Sequence, residues 1–293
     1  QAVAQLRSTP SPSRNLTTCL SFVRRAAAQK AAALFLPEAS DFIAPDAQTS
    51  LSLAQPLSTS PFVQGLCAAA REHQLPICVG EHPPNAAAGK MYNTLLWISA
   101  GGHITHTYRK LHLFDVSLSA SNTQLRESAS VARGPRIEDP VDTALGKLGM
   151  LICFDVRFPE PSLVLRHRGA QVLVYPSAFT VPTGRAHWEV LLRARAIETQ
   201  SYVVAAAQVG VHDSVEEGGE GKRRSYGHSM VVDPWGEVVA RLGGEGEEEE
   251  EEGKGRGNDE GGMLFVEVDL GLVERVRREV RLVRRIDVYP ELT

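Results

Sequence analysis

The chain has 293 residues, 43% of them hydrophobic, and a formal net charge of −4, enough apolar content to bury a sizeable core in one domain or two. Residues 245–260 hold nine acidic residues against two basic ones, so the rest of the chain has a small positive balance; no basic stripe interleaved with aromatics marks a nucleic-acid partner. No apolar run reaches the roughly 18–20 residues of a membrane span, and the four cysteines form no C-x-x-C pair and no zinc spacing with histidine, which excludes a zinc finger and fits a reducing, cytoplasmic setting.

Residues 2–6 read as a first strand, so close to Gln1 that a few residues are expected to be missing before it, and a removed mitochondrial leader is compatible. A helix is expected over 14–32, with Leu16, Leu20, Val23 and Ala27 on one face. Residues 33–36 form a short buried strand stopped by Pro37, and the next residue is Glu38. A carboxylate is therefore delivered at a strand end. A loop with a short helix over 40–60, a helix over 61–73 and a strand over 76–80 follow. Residues 93–98 and 103–108 flank Ala100-Gly101-Gly102, a hairpin signal. Its second strand runs into Lys110, a cation at another strand end. Residues 115–145 are weakly periodic and read as one long loop.

The run 148–152 is apolar, follows Gly146 and Gly149, and stops at Cys153; Pro159 then opens a helix expected to end at Gly169. A thiol thus stands at the carboxyl end of a strand, where open α/β sheets tend to hold ligands. Further strands are expected over 171–175, 202–208 and 264–270, a helix over 186–200, and a hairpin of 229–233 and 237–242 around Pro234-Trp235-Gly236. A basic amphipathic helix and a tail reaching Tyr289 end the chain. Two charged, Gly-rich segments, 212–224 and 243–262, read as mobile insertions, the second as a solvated hairpin tip. Strands alternating with helices and hairpins indicate a single α/β layered domain with mixed sheets over 1–293.

The ordinary reading of a buried cysteine is packing, and it covers Cys19, Cys67 and Cys78. Cys153 differs by its strand-end position beside polar residues. As a nucleophile it needs a base, which Glu38 supplies, and a cation facing the developing oxyanion, which Lys110 supplies. The backbone N–H of Phe154 is a second oxyanion donor. A cysteine phosphatase loop would need an arginine where Pro159 stands; a Cys-His protease would need a histidine, and nothing selects among His167, His187 and His228.

Three blocks, Leu36-Pro37-Glu38-Ala39, Tyr108 to Asp115 and Ile152 to Glu160, resemble the nitrilase superfamily of carbon–nitrogen hydrolases in residues, order and approximate spacing. The resemblance spans Ala2 to Tyr289. It implies a four-layer αββα sandwich, usually paired as a homodimer through the helices after Pro159 and Ala186, with the tail lying across the partner. It also implies a Glu38-Lys110-Cys153 triad, Glu127 as a second glutamate, and neither metal nor organic cofactor. Tyr175 to Phe179, His187 to Glu198, Tyr226 to Gly236 and Asp287-Val288-Tyr289 are similar to the Nit-type branch of deaminated glutathione amidases. That branch hydrolyses the γ-amide of deaminated glutathione, a small-molecule substrate, to 2-oxoglutarate and cysteinylglycine. The resemblance implies Arg157, Phe179 and Thr183 as substrate-binding positions beside Phe154. Ser40 and Arg185 depart from the branch, standing for an aromatic and a proline. An ω-amidase acting on 2-oxoglutaramate shares the same chemistry, and a non-catalytic scaffold shares the same fold; four chemically competent positions favour an enzyme over the scaffold.

Overall fold

A computed structural model describes residues 1–118, 123–212, 223–244 and 261–290. Two six-stranded mixed sheets form its centre. The first contains β1 (Ala2–Leu6), β2 (Leu34–Phe35), β3 (Ile77–Glu81), β4 (Thr94–Ile98) and β5 (Ile104–Arg109). The second contains β6 (Val141–Thr143), β7 (Gly146–Met150), β8 (Val172–Val174), β9 (Tyr202–Ala205), β10 (Met230–Val232) and β11 (Val238–Arg241); β12 (Gly261–Phe265) returns to the first. The orders are β12-β1-β2-β3-β4-β5 and β6-β7-β8-β9-β10-β11. In each sheet three parallel strands are flanked by antiparallel neighbours.

Six α-helices complete the described chain: α1 (Pro12–Ala28), α2 (Ala47–Leu53), α3 (Pro61–His73), α4 (Pro159–His167), α5 (Val181–Thr199) and α6 (Leu270–Glu279). The pleat sends successive side chains of the first sheet to opposite faces. Ala4, Leu34, Ile77, Val79 and Leu96 pack with Phe22, Val23, Phe62 and Leu66 of α1 and α3. Val3, Phe35, Cys78, Leu95 and Trp97 share a core with Leu148, Met150, Val172 and Val174 of the second sheet, whose other side is closed by Leu165, Trp188 and Leu192 of α4 and α5. The result is the expected four-layer αββα sandwich. Among the described residues no helix is long and apolar enough to cross a membrane.

Three local expectations change. Helix α5 begins at Val181, not near Ala186; Pro182 and Gly184 look like a turn in sequence, yet a proline suits a helix's first turn. The 115–145 stretch contains a hairpin, Asp115–Leu118 with Thr123–Arg126, a 3-10 turn at Glu127–Ala129 and short strands at Val131–Ala132 and Val141–Thr143. The acidic tract, read as a hairpin tip, lies outside the described residues; the strands on either side of it, β11 and β12, belong to different sheets. Gly261 and Gly262, read as part of that insertion, pair with β1. Gly261 takes φ 108, and a Cβ there would collide with the Gln5 carbonyl. The bulk of both insertions, 213–222 and 245–260, lies outside the described residues. At the edge of the first, His212 is buried: its Nδ1–H donates to the Ser8 carbonyl at 2.8 Å and its Nε2 accepts from the Ser225 hydroxyl at 2.7 Å. Burial pulls its pKa down to about 4, so the ring is neutral.

Candidate active site

Glu38 follows β2, Lys110 follows β5 and Cys153 lies just beyond β7. All three side chains sit in the interior, at 4%, 2% and 7% exposure. Lys110 Nζ donates to Glu38 Oε1 at 2.8 Å and to both oxygens of Glu127 at 3.0 and 2.9 Å. Asn93 Nδ2 bridges the same two carboxylates, reaching Glu38 Oε1 at 2.7 Å and Glu127 Oε1 at 3.0 Å. The remaining oxygens accept backbone N–H groups, Glu38 Oε2 from Ala178 at 2.8 Å and Glu127 Oε2 from Phe114 at 2.7 Å. The Cys153 thiol lies close enough to Glu38 and Lys110 for both charges to act on it.

The backbone explains how these groups stay in place. At Gly80, β3 passes so near Glu38 that an added Cβ would lie 2.7 Å from the Glu38 Cα. Ala39 turns away in the left-handed region at φ 55, and Gln208 Nε2 donates to the carbonyls of Glu38 and Ala39 at 2.9 and 3.2 Å. Cys153 is also left-handed, at φ 44, a conformation that costs a non-glycine residue about 1–3 kcal/mol. It opens a 3-10 turn over Cys153–Arg157. The buried Asp155 carboxylate holds that turn. It accepts from the Ile152 N–H at 3.1 Å and the Tyr108 hydroxyl at 2.6 Å, and from the His112 N–H and ring Nδ1–H at 3.0 and 2.8 Å. Tyr108 and His112 flank Lys110, so one carboxylate fixes the thiol's turn against the lysine's strand end.

Electrostatics set the resting protonation. Burial pushes Glu38 toward its acid form, but the Lys110 ammonium and the hydrogen bonds from Lys110 and Asn93 outweigh it and hold the carboxyl below the usual range. Burial opposes the charge on Lys110, while Glu127 and Glu38 raise its pKa well above that of a free lysine. Burial and the negative charge of Glu38 push the Cys153 thiol well up, with Lys110 only partly opposing. The resting site is a neutral thiol against a carboxylate and an ammonium. Such a set can pass a proton from sulfur to carboxylate as sulfur attacks a carbonyl, with the ammonium beside the developing negative charge.

These four residues line one cavity of about 830 Å³, and Phe154, Arg157, Phe179 and Thr183 line it too. Arg157 is half-buried, lies 5.5 Å over the Phe154 ring and 5.6 Å over the Phe179 ring, and donates to His187 Nδ1 at 3.2 Å. Phe179 is buried against Trp188, at 4.9 Å between ring centroids. The Thr183 hydroxyl faces that of Thr180 at 2.8 Å. Arg185 also lines the cavity, whereas Ser40 is fully buried and donates to the Pro37 carbonyl at 2.7 Å. The departure at Ser40 is therefore an internal turn contact. Sequence reasoning missed Asn93, the Ala178 N–H, Gln208 and the part played by Asp155. Asn93 had one available signal, a polar residue beginning a strand directly opposite Lys110, whose N–H donates to the Asn93 carbonyl at 2.9 Å. Among the described residues, no group of three or more His, Cys, Asp or Glu side chains is arranged to hold a metal ion.

The carbon-nitrogen hydrolase family model matches residues 2–278. The chain is 42% identical to "Probable hydrolase nit2" of Schizosaccharomyces pombe over 99% of both chains. It is 44% identical to the human protein named deaminated glutathione amidase, over 99% of this chain and 84% of that one. Among solved structures, the Caenorhabditis elegans NitFhit protein superposes with a TM-score of 0.85 at 40% identity, covering 98% of this chain and 65% of the other.

Proposed function

This chain belongs to the carbon-nitrogen hydrolase family, and from that premise we propose that it hydrolyses the γ-amide of deaminated glutathione through a thioester on Cys153. The observation that carries the reading is the convergence of a thiol, two carboxylates and an ammonium on the floor of one cavity. The names of relatives at 41–44% identity over almost the whole chain support the substrate. A cavity of about 830 Å³ has room for a five-carbon acyl group and a dipeptide together.

The steps follow from the resting protonation. Cys153 sulfur attacks the γ-carbonyl carbon while Glu38 takes the thiol proton. The oxyanion is met by Lys110 and the Phe154 N–H. Glu38 gives the proton to the amide nitrogen, the C–N bond breaks, and cysteinylglycine leaves. Water then attacks the thioester, losing a proton to Glu38, which returns it to the departing sulfur as 2-oxoglutarate is released. Glu127 keeps Lys110 charged and in place. The direct test is release of cysteinylglycine from deaminated glutathione by the purified protein; no release across that amide and 2-oxoglutaramate would overturn the reading.

Arg157, stacked on two rings at the cavity wall, suits the 2-oxo acid carboxylate, since a guanidinium fork binds a carboxylate through two charge-assisted hydrogen bonds. Arg157→Leu is expected to raise KM for the 2-oxo acid amide about 10- to 100-fold more than KM for a neutral amide. Equal changes in steady-state kinetics on the two substrates would remove this role.

The working unit in this reading is a homodimer. Val190 and Ile197 of α5 are 69% and 51% exposed, Gly236, next in chain to the exposed Trp235, lies against Ile197, and the apolar tail side chains Leu282 and Ile286 run alongside α4 and α5. Large apolar side chains exposed in such numbers around one helix suit an interface. Light scattering coupled to size exclusion is expected to give twice the chain mass; a monomer across the accessible concentration range would overturn the assignment. Four unpaired cysteines, one of them the nucleophile, suit a reducing compartment, the cytoplasm or the mitochondrial matrix.

A further inference from the structure

A buried histidine that the mechanism does not use, His82, also lines the cavity, and its ring is held from two sides. The Asp41 carboxylate accepts from the ring Nδ1–H at 2.9 Å and from the His82 backbone N–H at 2.8 Å. Phe42 packs on the ring at 5.2 Å between centroids, and Phe42, Met91 and Val131 make the adjoining wall apolar. An ionised carboxylate only accepts, so the proton on the Asp41 side is fixed at Nδ1. Nε2, which has no hydrogen-bond partner among the described residues, is left for the cavity.

Backbone register ties His82 to the reacting groups. Strands β3 and β4 pair antiparallel with Glu81 opposite Thr94, and the Tyr92 N–H donates to the Pro83 carbonyl at 2.8 Å. Between those two steps His82 stands opposite Asn93, where side chains on one face lie about 5 Å apart at Cβ. Asn93 Nδ2 is the group that reaches Glu38 Oε1 at 2.7 Å and Glu127 Oε1 at 3.0 Å. On the other flank of β3 the Ser40 N–H donates to the Gly80 carbonyl at 3.1 Å, so the segment carrying Glu38 and Asp41 runs beside Gly80 and His82. His82 is therefore one side chain away from the base. The charges acting on its ring are Asp41, Glu38 and Glu127; burial opposes protonation, but these three outweigh it and raise the ring's pKa. Lys110 is shared between Glu38 and Glu127. Glu81 alternates to the opposite face of the strand, and burial and Asp41 push its carboxyl up to about 9, so it is neutral.

We propose that His82, oriented by Asp41, is a specificity-determining residue whose Nε2–H binds the carboxylate of the leaving amine, so that the enzyme selects amides acidic at both ends. This rests on the deaminated glutathione reading above. Glu38 must reach the scissile nitrogen to protonate it, which lays the leaving amine over the end of the first sheet, on the His82 side. Arg157, from the second sheet, is already matched to the acyl half. The terminal carboxylate of an extended dipeptide lies about 7 Å from that nitrogen, a span comparable with the single side chain between His82 and Glu38. Three carboxylates against one ammonium would repel an anion here, so the carboxylate is admitted only while the ring is an imidazolium. A substrate that releases ammonia leaves His82 unused.

The test compares deaminated glutathione with its glycine carboxamide, which differ only in the distal charge. Calorimetric binding is measured on Cys153→Ala, and release of the leaving amine on the otherwise native protein. Cys153→Ala is expected to bind the acid about tenfold more tightly than the carboxamide. The ratio should narrow as pH rises through the histidine's pKa, because a deprotonated Nε2 only accepts. Adding His82→Asn should bring the ratio close to one and remove its pH dependence. Asparagine places its amide nitrogen where Nδ1 stands, so the bond to Asp41 is kept while Nε2 is removed. If that variant does not fold, the measurement with His82 intact decides alone. A ratio near one, a preference that does not change with pH, or a preference that survives His82→Asn overturns the site. A binding preference without turnover sinks the substrate reading and leaves the site standing. Turnover without preference does the reverse, and binding of neither compound sinks both.

Discussion

Cys153→Ala will lose amide turnover by at least about 10⁴-fold while keeping the fold. A covalent route has no substitute for its nucleophile, and removing a member of such a set typically costs several orders of magnitude in kcat. The structural cost is small. The Cys153 N–H still reaches the Pro176 carbonyl at 3.0 Å, Asp155 still holds the turn from its far side, and alanine bears the same left-handed backbone as cysteine. Denaturing mass spectrometry of wild-type protein quenched during turnover will show an acyl adduct at Cys153 that the variant lacks. Retained turnover in Cys153→Ala, or an adduct elsewhere, would remove the mechanism. The pH dependence has a definite sign. Glu38 has its carboxyl held below the ordinary range by Lys110 against burial, so it stays a competent base throughout the neutral region. Activity is expected to fall only on acidification past the usual glutamate range, and stability contributed by that carboxylate is lost on the same side.

What the sequence made legible was the delivery of each functional group. Pro37 stops a strand before Glu38, a hairpin runs out into Lys110, and an apolar run ends at Cys153, and all three strand ends are found in those roles of placement. Backbone punctuation is local, so it can be read locally. The convergence could not be, because it depends on long-range closure: Glu38 and Ala178 are joined across the two sheets, as are Gln208 and the Glu38 carbonyl. The same reason hid Asp155, whose partners are Tyr108, on a strand of the other sheet, and His112, just beyond that strand. Glu127 was the hardest case, a carboxylate inside what read as a long loop. The hairpin Asp115–Leu118 with Thr123–Arg126 supplies the register that returns it to Lys110. The start of α5 was misplaced because Pro182 and Gly184 have two opposite meanings, turn and first helical turn, that only tertiary contact with Tyr226 resolves.

Lys110→Met will remove both activity and stability, and the two losses can be separated. In the native site one ammonium stands between two carboxylates, at 2.8 Å from Glu38 and 2.9 Å from Glu127. Taking it away leaves two like charges bridged only by Asn93, both largely buried. Breaking a buried ion pair from one side costs about 3–5 kcal/mol, because the partner charge is left uncompensated; for a chain of this size that is on the order of 10 °C in Tm. The lost cation also raises the Glu38 pKa, since Lys110 is what offsets burial there, so the base is weakened in occupancy as well as the oxyanion site emptied. Methionine fills the aliphatic volume, which keeps cavity formation out of the comparison. Adding Glu127→Gln removes one of the stranded charges, and Tm should recover in part, a non-additivity expected of groups in one network. Turnover should not recover, because neither methionine nor glutamine faces the oxyanion with positive charge. Thermal melts and initial rates on the single and double variants decide it: a Lys110→Met protein that melts with wild type, or a double variant that regains turnover, would mean that Lys110 neither compensates the buried carboxylates nor serves the reaction.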